Sequence, residues 1–470
     1  MSICDSGVGS KVCGRNVLIT VPKKHPFIML CNQLPWEKML SIILDDLKNS
    51  TPSKRWFCGR KLKVRIHLGA YILQQMNNLT DRKTEAAIKE NAVYQIFCGQ
   101  SIVENWHCPD HTKIESFRSR LKPETQEQLA NLICQHAVKL GIAVPNDLDV
   151  DSTIQEANMT YPTDAKMLRK LSGIASTVSK GIKGLITKSK QKTMDLTVDI
   201  KTIASKAKAY FFMPKKTNNT EKSTVLSELW SAVSEPVLRI ISACKDISQK
   251  AQEKLSWNIK RAIDQLLAHG KSYLASAKIF IETGKAENNK RLSFHVDAVS
   301  CFNKKKDHKK YEFGRCIQLG RISGNFMFVK KSENVRMDDK KSFIPIIDEH
   351  AKLFGKNKLN SVATDKGYYS KKNVKYLIKK NVKEIGIQVP GNTNDKNITL
   401  SDDKSEALRN RRAGIEPLIG HIKQGGQLGR SRMKNDDSVE SSAYASVFGF
   451  NLRQTMNALI FKEKEKTVML

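Results

Sequence analysis

The strand signals of this 470-residue chain lie in two places far apart in sequence, and that separation constrains the fold more than any other feature. Leu148-Asp149-Val150-Asp151-Ser152-Thr153-Ile154 alternates apolar and polar residues, as a strand with one buried face does. After the long strand-poor stretch that follows come 311–319 and 325–329, separated by Arg321-Ile322-Ser323-Gly324, which suits a hairpin. Beyond them the pattern predicts a helix over 343–354, then a short strand over 359–364 that ends at Asp365-Lys366-Gly367. A helix over 374–382 and a strand over 385–389 complete it. Strands mixed with helices in this order predict an α/β sheet with a parallel part. The stretch between the first strand and the hairpin, 166–292, reads as a helical insertion.

Charge marks the insertion as well. It holds 25 Lys and Arg against 10 Asp and Glu, within a chain that carries 80 against 47 and a formal charge of +33. A basic excess of that size attracts polyanions, so nucleic acid is the leading partner, and a helical subdomain against DNA is the functional reading of 166–292. A dimerisation or structural insert whose lysines solvate its outer face is the alternative. The ten cysteines include no CxxC pair, which fits free thiols in a reducing cytosol. The uncharged stretch 66–80 is too short and too polar to span a membrane, so the protein reads as soluble and cytoplasmic.

Ahead of the first strand, 1–50 reads as irregular and 51–140 as a helical domain. Apolar residues at Leu62, Ile66, Leu68, Tyr71 and Ile72 follow a helical period, and Thr80 or Asp81 caps a second helix. His107-Cys108-Pro109-Asp110-His111 offers four metal-ligand types in five residues, but no second cluster follows at finger-like distance. A loop leading into a helix is the better reading, with Thr112 and Glu115 as a capping box and Arg118 on a basic face. Such a domain suits docking into DNA grooves, although any one of its helices fits a dimerisation module equally well.

Phosphodiester chemistry with two divalent metals requires carboxylates brought together. Asp151 lies within the first strand and Asp365 at the carboxyl end of a later one, where ligands gather in open α/β sheets. Each alone has an ordinary explanation, as an exposed strand residue or a turn former. The segment Arg412-Ala413-Gly414-Ile415-Glu416-Pro417-Leu418-Ile419-Gly420-His421-Ile422-Lys423 is more informative. At about 100° per residue, Glu416 and Lys423 fall within roughly 20° of each other on one helix face, opposite an apolar stripe. Gly420 between them leaves room for a phosphate backbone. Pro417 suits the first helical turn, which puts Arg412 just before the helix.

These residues carry a resemblance to the DDE transposases of bacterial insertion sequences, in the branch named after insertion sequence five. The mark of that family is a Y-(2)-R-(3)-E-(6)-K signature, matched by Arg412, Glu416 and Lys423, with Arg409 in place of the tyrosine. Segments starting at Val150, His308 and Thr364 are similar to the same family, as is 73–121 to the helical domain that precedes its catalytic core. The resemblance implies a ribonuclease H-like core over 141–165 and 293–460, with a tail at 461–470. It implies Asp151, Asp365 and Glu416 as ligands of two Mg²⁺ ions, with Mn²⁺ as a substitute, and strand cleavage followed by attack of a 3′ hydroxyl on target DNA. Asp147, Asp149 and Asp297 are weaker candidates for the first acid. Arg412, Lys423, Arg409, His308, Lys310 and Arg118 are then expected on DNA, the partners being the element's terminal inverted repeats and its target. A homodimer or larger assembly follows from two ends being processed together. A decayed transposase acting as a regulator, or a ribonuclease H-like recombination nuclease, would share much of this pattern.

Overall fold

The computed structural model describes residues 2–5, 17–49, 63–99, 108–183, 185, 195–214, 216–247, 253–288, 290–303, 309–332, 334–391 and 395–468. They form two compact units, one of Met1–Asn158 with Ser300–Leu470 and one of Met159–Val299.

The first unit begins with an antiparallel pair, β1 (Ser2–Asp5) and β2 (Val17–Thr20). Helices α1 (Pro26–Gln33) and α2 (Trp36–Asn49) follow, so the expectation of an irregular first fifty residues is corrected. Met39, Ile43 and Leu47 recur every fourth residue and are all fully buried, which is the amphipathic signal that the sequence reading overlooked. Next come α3 (Val64–Asn77), α4 (Asp81–Glu90) and α5 (Ala92–Phe97). Helix α3 is buried over most of its length, His67 and Gln74 included, and Thr80 caps α4 by accepting the Lys83 N–H. The capping box expected at Thr112 is replaced by Asp110, whose carboxylate accepts the N–H groups of Thr112 and Lys113 at the start of α6 (His111–Arg120). Aspartate competes well for that position because it accepts from both orphan amides at once. Pro123 then opens α7 (Pro123–Lys139), which leads into β3 (Val144–Glu156).

The second unit, taken by itself, is helical, with no strand among its described residues. Helices α8 (Asp164–Ile182), α9 (Ile200–Phe211), α10 (Asn219–Lys245) and α11 (Trp257–Thr283) enclose their own core, centred on Leu168, Leu171, Leu229, Val233, Ile240 and Leu266. Asp164, nearly buried, is satisfied inside it by Lys290 at 2.6 Å and by the Tyr273 hydroxyl at 3.0 Å. A buried charge needs such partners.

The chain then returns to the sheet through β4 (Ser300–Asn303), β5 (Tyr311–Ser323) and β6 (Phe326–Lys330). The β5–β6 hairpin turns at Gly324 and Asn325, with φ of +88° and +61°, the two residue types that tolerate a left-handed backbone best. After α12 (Asp339–Phe354) come β7 (Ser361–Thr364), α13 (Lys371–Lys379) and β8 (Glu384–Ile387). Three helices end the chain, α14 (Asp402–Ala413), α15 (Ile415–Gln424) and α16 (Asp436–Val468). The sheet runs β4-β5-β3-β7-β8 with β6 also on β5. Strand β3 is antiparallel to β5 and parallel to β7, which is parallel to β8. The result is a mixed α/β architecture beside a helical amino-terminal region.

Alternation in β3 decides which side faces what. Leu148 and Val150 join Phe328, Phe343, Ile346, Val362 and Tyr368 in one core cluster, so Asp147, Asp149 and Asp151 point to the opposite face. Edge strand β6 is sealed rather than left open. Asn131 of α7 exchanges hydrogen bonds with both backbone groups of Val329, at 2.9 and 3.0 Å, and Asn451 of α16 does the same to Met327, at 3.0 and 2.7 Å. Unpaired edge groups would otherwise invite association with another strand. Among the described residues no helix is long and apolar enough to cross a membrane.

Candidate active site

Three aspartates on one face of β3 compete for the role of first acid, and the helix beyond the sheet separates them. The last turn of α14 places Arg411 over Asp147 and Asp149. Its Nε donates to Asp149 Oδ1 at 2.8 Å, and its Nη1 lies 3.1 Å from Asp147 Oδ1 and 2.5 Å from Ser361 Oγ. Arg321 adds a contact to Asp149 at 3.5 Å. Burial still holds the Asp149 carboxyl above its ordinary range, against the pull of Arg411 and Arg321. These two acids are therefore tied into the fold by arginines. Asp297, the other competitor, belongs to the second unit and pairs with Arg291 at 2.5 Å.

Asp151 sits one residue beyond the last β3–β7 pair, Val150 with Thr364, so Asp365 follows β7 at the matching level. There β7 ends while β3 runs on to Glu156 against β5, so Asp151 stands mid-strand beside the carboxyl end of β7. Burial raises the Asp151 carboxyl from its usual range, Arg412 and the Ser152 amide lower it, and the fields of Asp365 and Glu416 raise it again. The three acids thus share one electrostatic neighbourhood. Arg412 lies between two of them. Its Nη2 is 3.0 Å from Asp151 Oδ2 and its Nη1 is 3.0 Å from Glu416 Oε1.

Arg412 lies ahead of the Glu416 helix, in the last turn of α14, and its side chain bridges two carboxylates. The break between α14 and α15 comes at Gly414, and Pro417 fits the first turn of α15, where its missing N–H has no intrahelical partner to lose. Ile415, Leu418, Ile419 and Ile422 bury the opposite side of α15 and orient Glu416 outward. Its side chain is 63% exposed, open to solvent on the side away from Arg412.

Asp365 caps a short turn, Lys366–Tyr368, by accepting the Gly367 N–H at 2.9 Å. A side chain at position 367 would press on two carboxylates, with Asp365 Oδ1 at 3.0 Å and Asp339 Oδ2 at 3.2 Å from its Cβ. Asp339, in the first turn of α12, borders this turn as well, a position where an acid ordinarily complements the helix dipole. Its Oδ1 accepts from Ser152 Oγ at 3.0 Å. Tyr368, fully buried, lies beside Ser152 in the fields of Asp339 and Asp151, and burial pushes its hydroxyl well above the ordinary range.

The donor set is one of carboxylate oxygens, which suits hard divalent cations such as Mg²⁺. As the side chains stand, no three acids among the described residues come close enough to hold one ion together. Arg412 occupies the space between Asp151 and Glu416, so rotation of those side chains is what closure on an ion requires. With that rotation the residues fit the group.

The remaining expected contacts divide. Lys423 is half-buried on α15, one helical face with Glu416, and Gly420 between them has open space around it. Arg409 and Lys310 are exposed, Lys310 against the Tyr311 ring at 5.5 Å. His308 lies outside the described residues. Arg118 is corrected: it turns inward in a two-pronged pair with Asp81, at 3.0 and 3.3 Å, and is 16% exposed. The Thr80 cap and the α6 register bring these two side chains together, and an arginine so engaged is a brace between helices. On the second unit Phe212 and Trp257 are exposed, with Lys208 at 5.7 Å and Arg261 at 5.3 Å from their rings.

Residues 287–452 match the family model described as a transposase DDE domain, and residues 16–120 match the one described as Transposase domain (DUF772). The chain belongs to the DDE transposases. More particularly, the helical domain followed by the DDE domain is the organisation of the insertion-sequence transposases of the branch named after insertion sequence five. A protein of Rhizobium meliloti described as "Uncharacterized protein ORF8 in nfe locus" is 27% identical over 110 residues, 23% of this chain and 53% of that protein. The chain thus spans about half the length of this curated relative. No solved structure matches the chain.

Proposed function

We propose that the protein binds the terminal inverted repeats of an insertion sequence and catalyses metal-dependent strand cleavage and strand transfer. The observation that carries this reading is the grouping of Asp365 and Glu416 about Asp151 beside the carboxyl end of β7, with Arg412 bridging Asp151 and Glu416. The sheet supports a ribonuclease H-like core, because an antiparallel β6-β5-β3 run continues into parallel β7 and β8 with helices between the parallel strands. Asp151 and Asp365 would hold one Mg²⁺ and Asp151 with Glu416 the other. When bound, the two ions activate the attacking oxygen and stabilise the leaving one.

The protein's own groups supply the rest. Arg412 keeps a positive charge between Asp151 and Glu416, which limits their repulsion before catalysis. Lys423, on the Glu416 face of α15, binds a phosphate as a point charge and so places the strand against the acids. Arg409 and Lys310 extend that basic surface, and the lysine-rich helices of the second unit, with Phe212 and Trp257, suit a DNA backbone and its stacked bases. Two ends must be processed together, so the working form is a dimer or larger assembly on DNA, in the bacterial cytoplasm with the nucleoid.

The test is Mg²⁺-dependent nicking of a duplex carrying the element's end, beside gel-shift measurements of end binding. Asp151→Asn, Asp365→Asn and Glu416→Gln each abolish nicking while binding stays within a few-fold of the parent, since affinity comes from basic contacts elsewhere. Brisk cleavage by any one of them removes that residue from the site. A parent that binds ends but never cuts them is a regulator instead.

A further inference from the structure

Residues 425–435, between α15 and α16, carry three cations that the three-acid chemistry does not use, on a backbone held from several sides. Gln427 is fastened at both backbone groups: its N–H donates to Ser446 Oγ at 2.7 Å, and its carbonyl accepts from the Gln155 side chain at 2.9 Å. The Gln155 amide also donates to Ser442 Oγ, which meets Ser431 Oγ at 3.0 Å. Gln155, Ser431, Ser442 and Ser446 are all buried. At position 426 a Cβ would stand 2.6 Å from that of Ser446, so the glycine lets the loop lie against α16. The chain then runs beside the end of β3. There the Glu156 N–H donates to the Gly429 carbonyl at 3.1 Å, and the Ser431 N–H donates to the Glu156 carbonyl at 2.9 Å. Arg432 is held at both backbone groups, by Gln427 Oε1 at 2.9 Å and by the Asn158 side chain at 3.1 Å.

Side chains alternate along this path. Ser431 is buried and Met433 half-buried, whereas Arg430, Arg432 and Lys434 are exposed. Every second residue of an extended chain advances about 7 Å, close to the separation of successive phosphates along one DNA strand. Arg432 Nη2 rests on Asn78 Oδ1 at 3.0 Å, a neutral partner that leaves its charge in place. Glu156, the acid beside Arg430 along the backbone, is itself paired with another cation, Lys309. Asp436 and Asp437, which follow the loop, open α16 and complement its dipole. We propose that 430–434 is a preformed phosphate-binding strip for duplex DNA, in which Arg430, Arg432 and Lys434 contact successive phosphates of one strand leading out of the active site. This rests on the DNA-end binding proposed above. The strip starts at the level of Glu156, about 17 Å along β3 from Asp151 and so within one helical turn of the cut. Phosphate contacts carry no sequence information, so the strip supplies affinity and register rather than base preference. A backbone already fixed binds without the cost of ordering a loop.

The test is binding of the full chain to a duplex carrying the element's end, over a salt series without divalent metal. Arg430→Gln with Lys434→Gln alters exposed side chains only, and should weaken binding by roughly tenfold and flatten the log-log salt slope by about 1.8, about 0.9 for each phosphate. Adding Arg432→Gln should bring the change to about 2.7. Melting temperatures close to the parent's confirm that the variants are folded. Arg430→Lys with Lys434→Arg keeps the charges and should bind like the parent; a loss equal to that of the glutamine pair overturns a role for charge. Methylphosphonate linkages, which remove one phosphate charge at a time, locate the contact in the unaltered chain. Placed within one turn of the cut they should weaken the parent several-fold and the glutamine pair hardly at all. Sensitivity only beyond that turn, or slopes unchanged in the variants, overturns the strip; if the parent still binds and nicks its end, the function proposed above stands. A parent that binds no end duplex overturns both.

Discussion

Replacing Arg411 with alanine should unfold the chain more readily than almost any other single change near the site. Arg411 reaches Asp149, Asp147 and Ser361 together, and the Asp149 side chain is only 4% exposed. Losing one partner of a buried ion pair costs about 3–5 kcal/mol, because the other charge is left without compensation. Arg321 remains at 3.5 Å from Asp149 and Asp147 is half open to water, so the lower end, about 3 kcal/mol, is expected. With an m-value of about 3 kcal/mol per molar urea, the midpoint of the first unit falls by about 1 M. The effect depends on pH with a definite sign. Asp149 already titrates above its ordinary range because of burial, and removing Arg411 raises it further. A carboxyl raised in the folded state binds its proton more tightly there, so its contribution is present below the unfolded value of about 4 and lost as pH rises through the folded value. The deficit of Arg411→Ala is therefore largest at neutral pH and shrinks on acidification toward pH 5. Urea titrations at pH 7.5 and pH 5, with Asp149→Asn and the double variant alongside, measure it. Asp149→Asn should rescue most of the loss. A deficit under about 1 kcal/mol that neither varies with pH nor responds to Asp149→Asn refutes the clamp.

Two further outcomes follow from basic side chains, one beside the site and the others on the second unit. Lys423→Ala should lower end affinity and slow cleavage, but much less than Glu416→Gln, and Lys423→Arg should restore part of both by keeping the charge; parent-like rates and affinity in Lys423→Ala would sink the phosphate contact. Lys201, Lys208 and Lys271 are exposed on helices of the second unit, and changing all three to glutamine should flatten the log-log salt dependence of DNA binding by roughly 0.9 for each one that neutralises a phosphate. An unchanged slope assigns that unit a structural role.

Local rules made much of this protein legible in its sequence. Alternation at 148–154 and 311–319 and the helical periods after 339 depend only on which residues are apolar and how far apart they fall, so the strand and helix order could be read directly. The face shared by Glu416 and Lys423 was equally local, a matter of 100° per residue. The amphipathic period of α2, with Pro35 before it, Glu37 in its first turn and Lys48 in its last, was just as local. Choices among identical chemistries were another matter. Local chemistry does not separate Asp147, Asp149 and Asp151 on one strand face, where only the family resemblance favours Asp151; the docking of Arg411 and Arg412 from a helix some 260 residues later gives them different partners. Arg118 looks in sequence like any basic surface residue, and only the packing of α6 on α4 turns it toward Asp81. Asp339 and Gly367 meet only once α12 and the turn after β7 lie side by side, with Ser152 between the acid and the strand. Secondary structure follows from neighbours in sequence, whereas the state of a charge follows from whatever the tertiary fold places within a few ångströms of it.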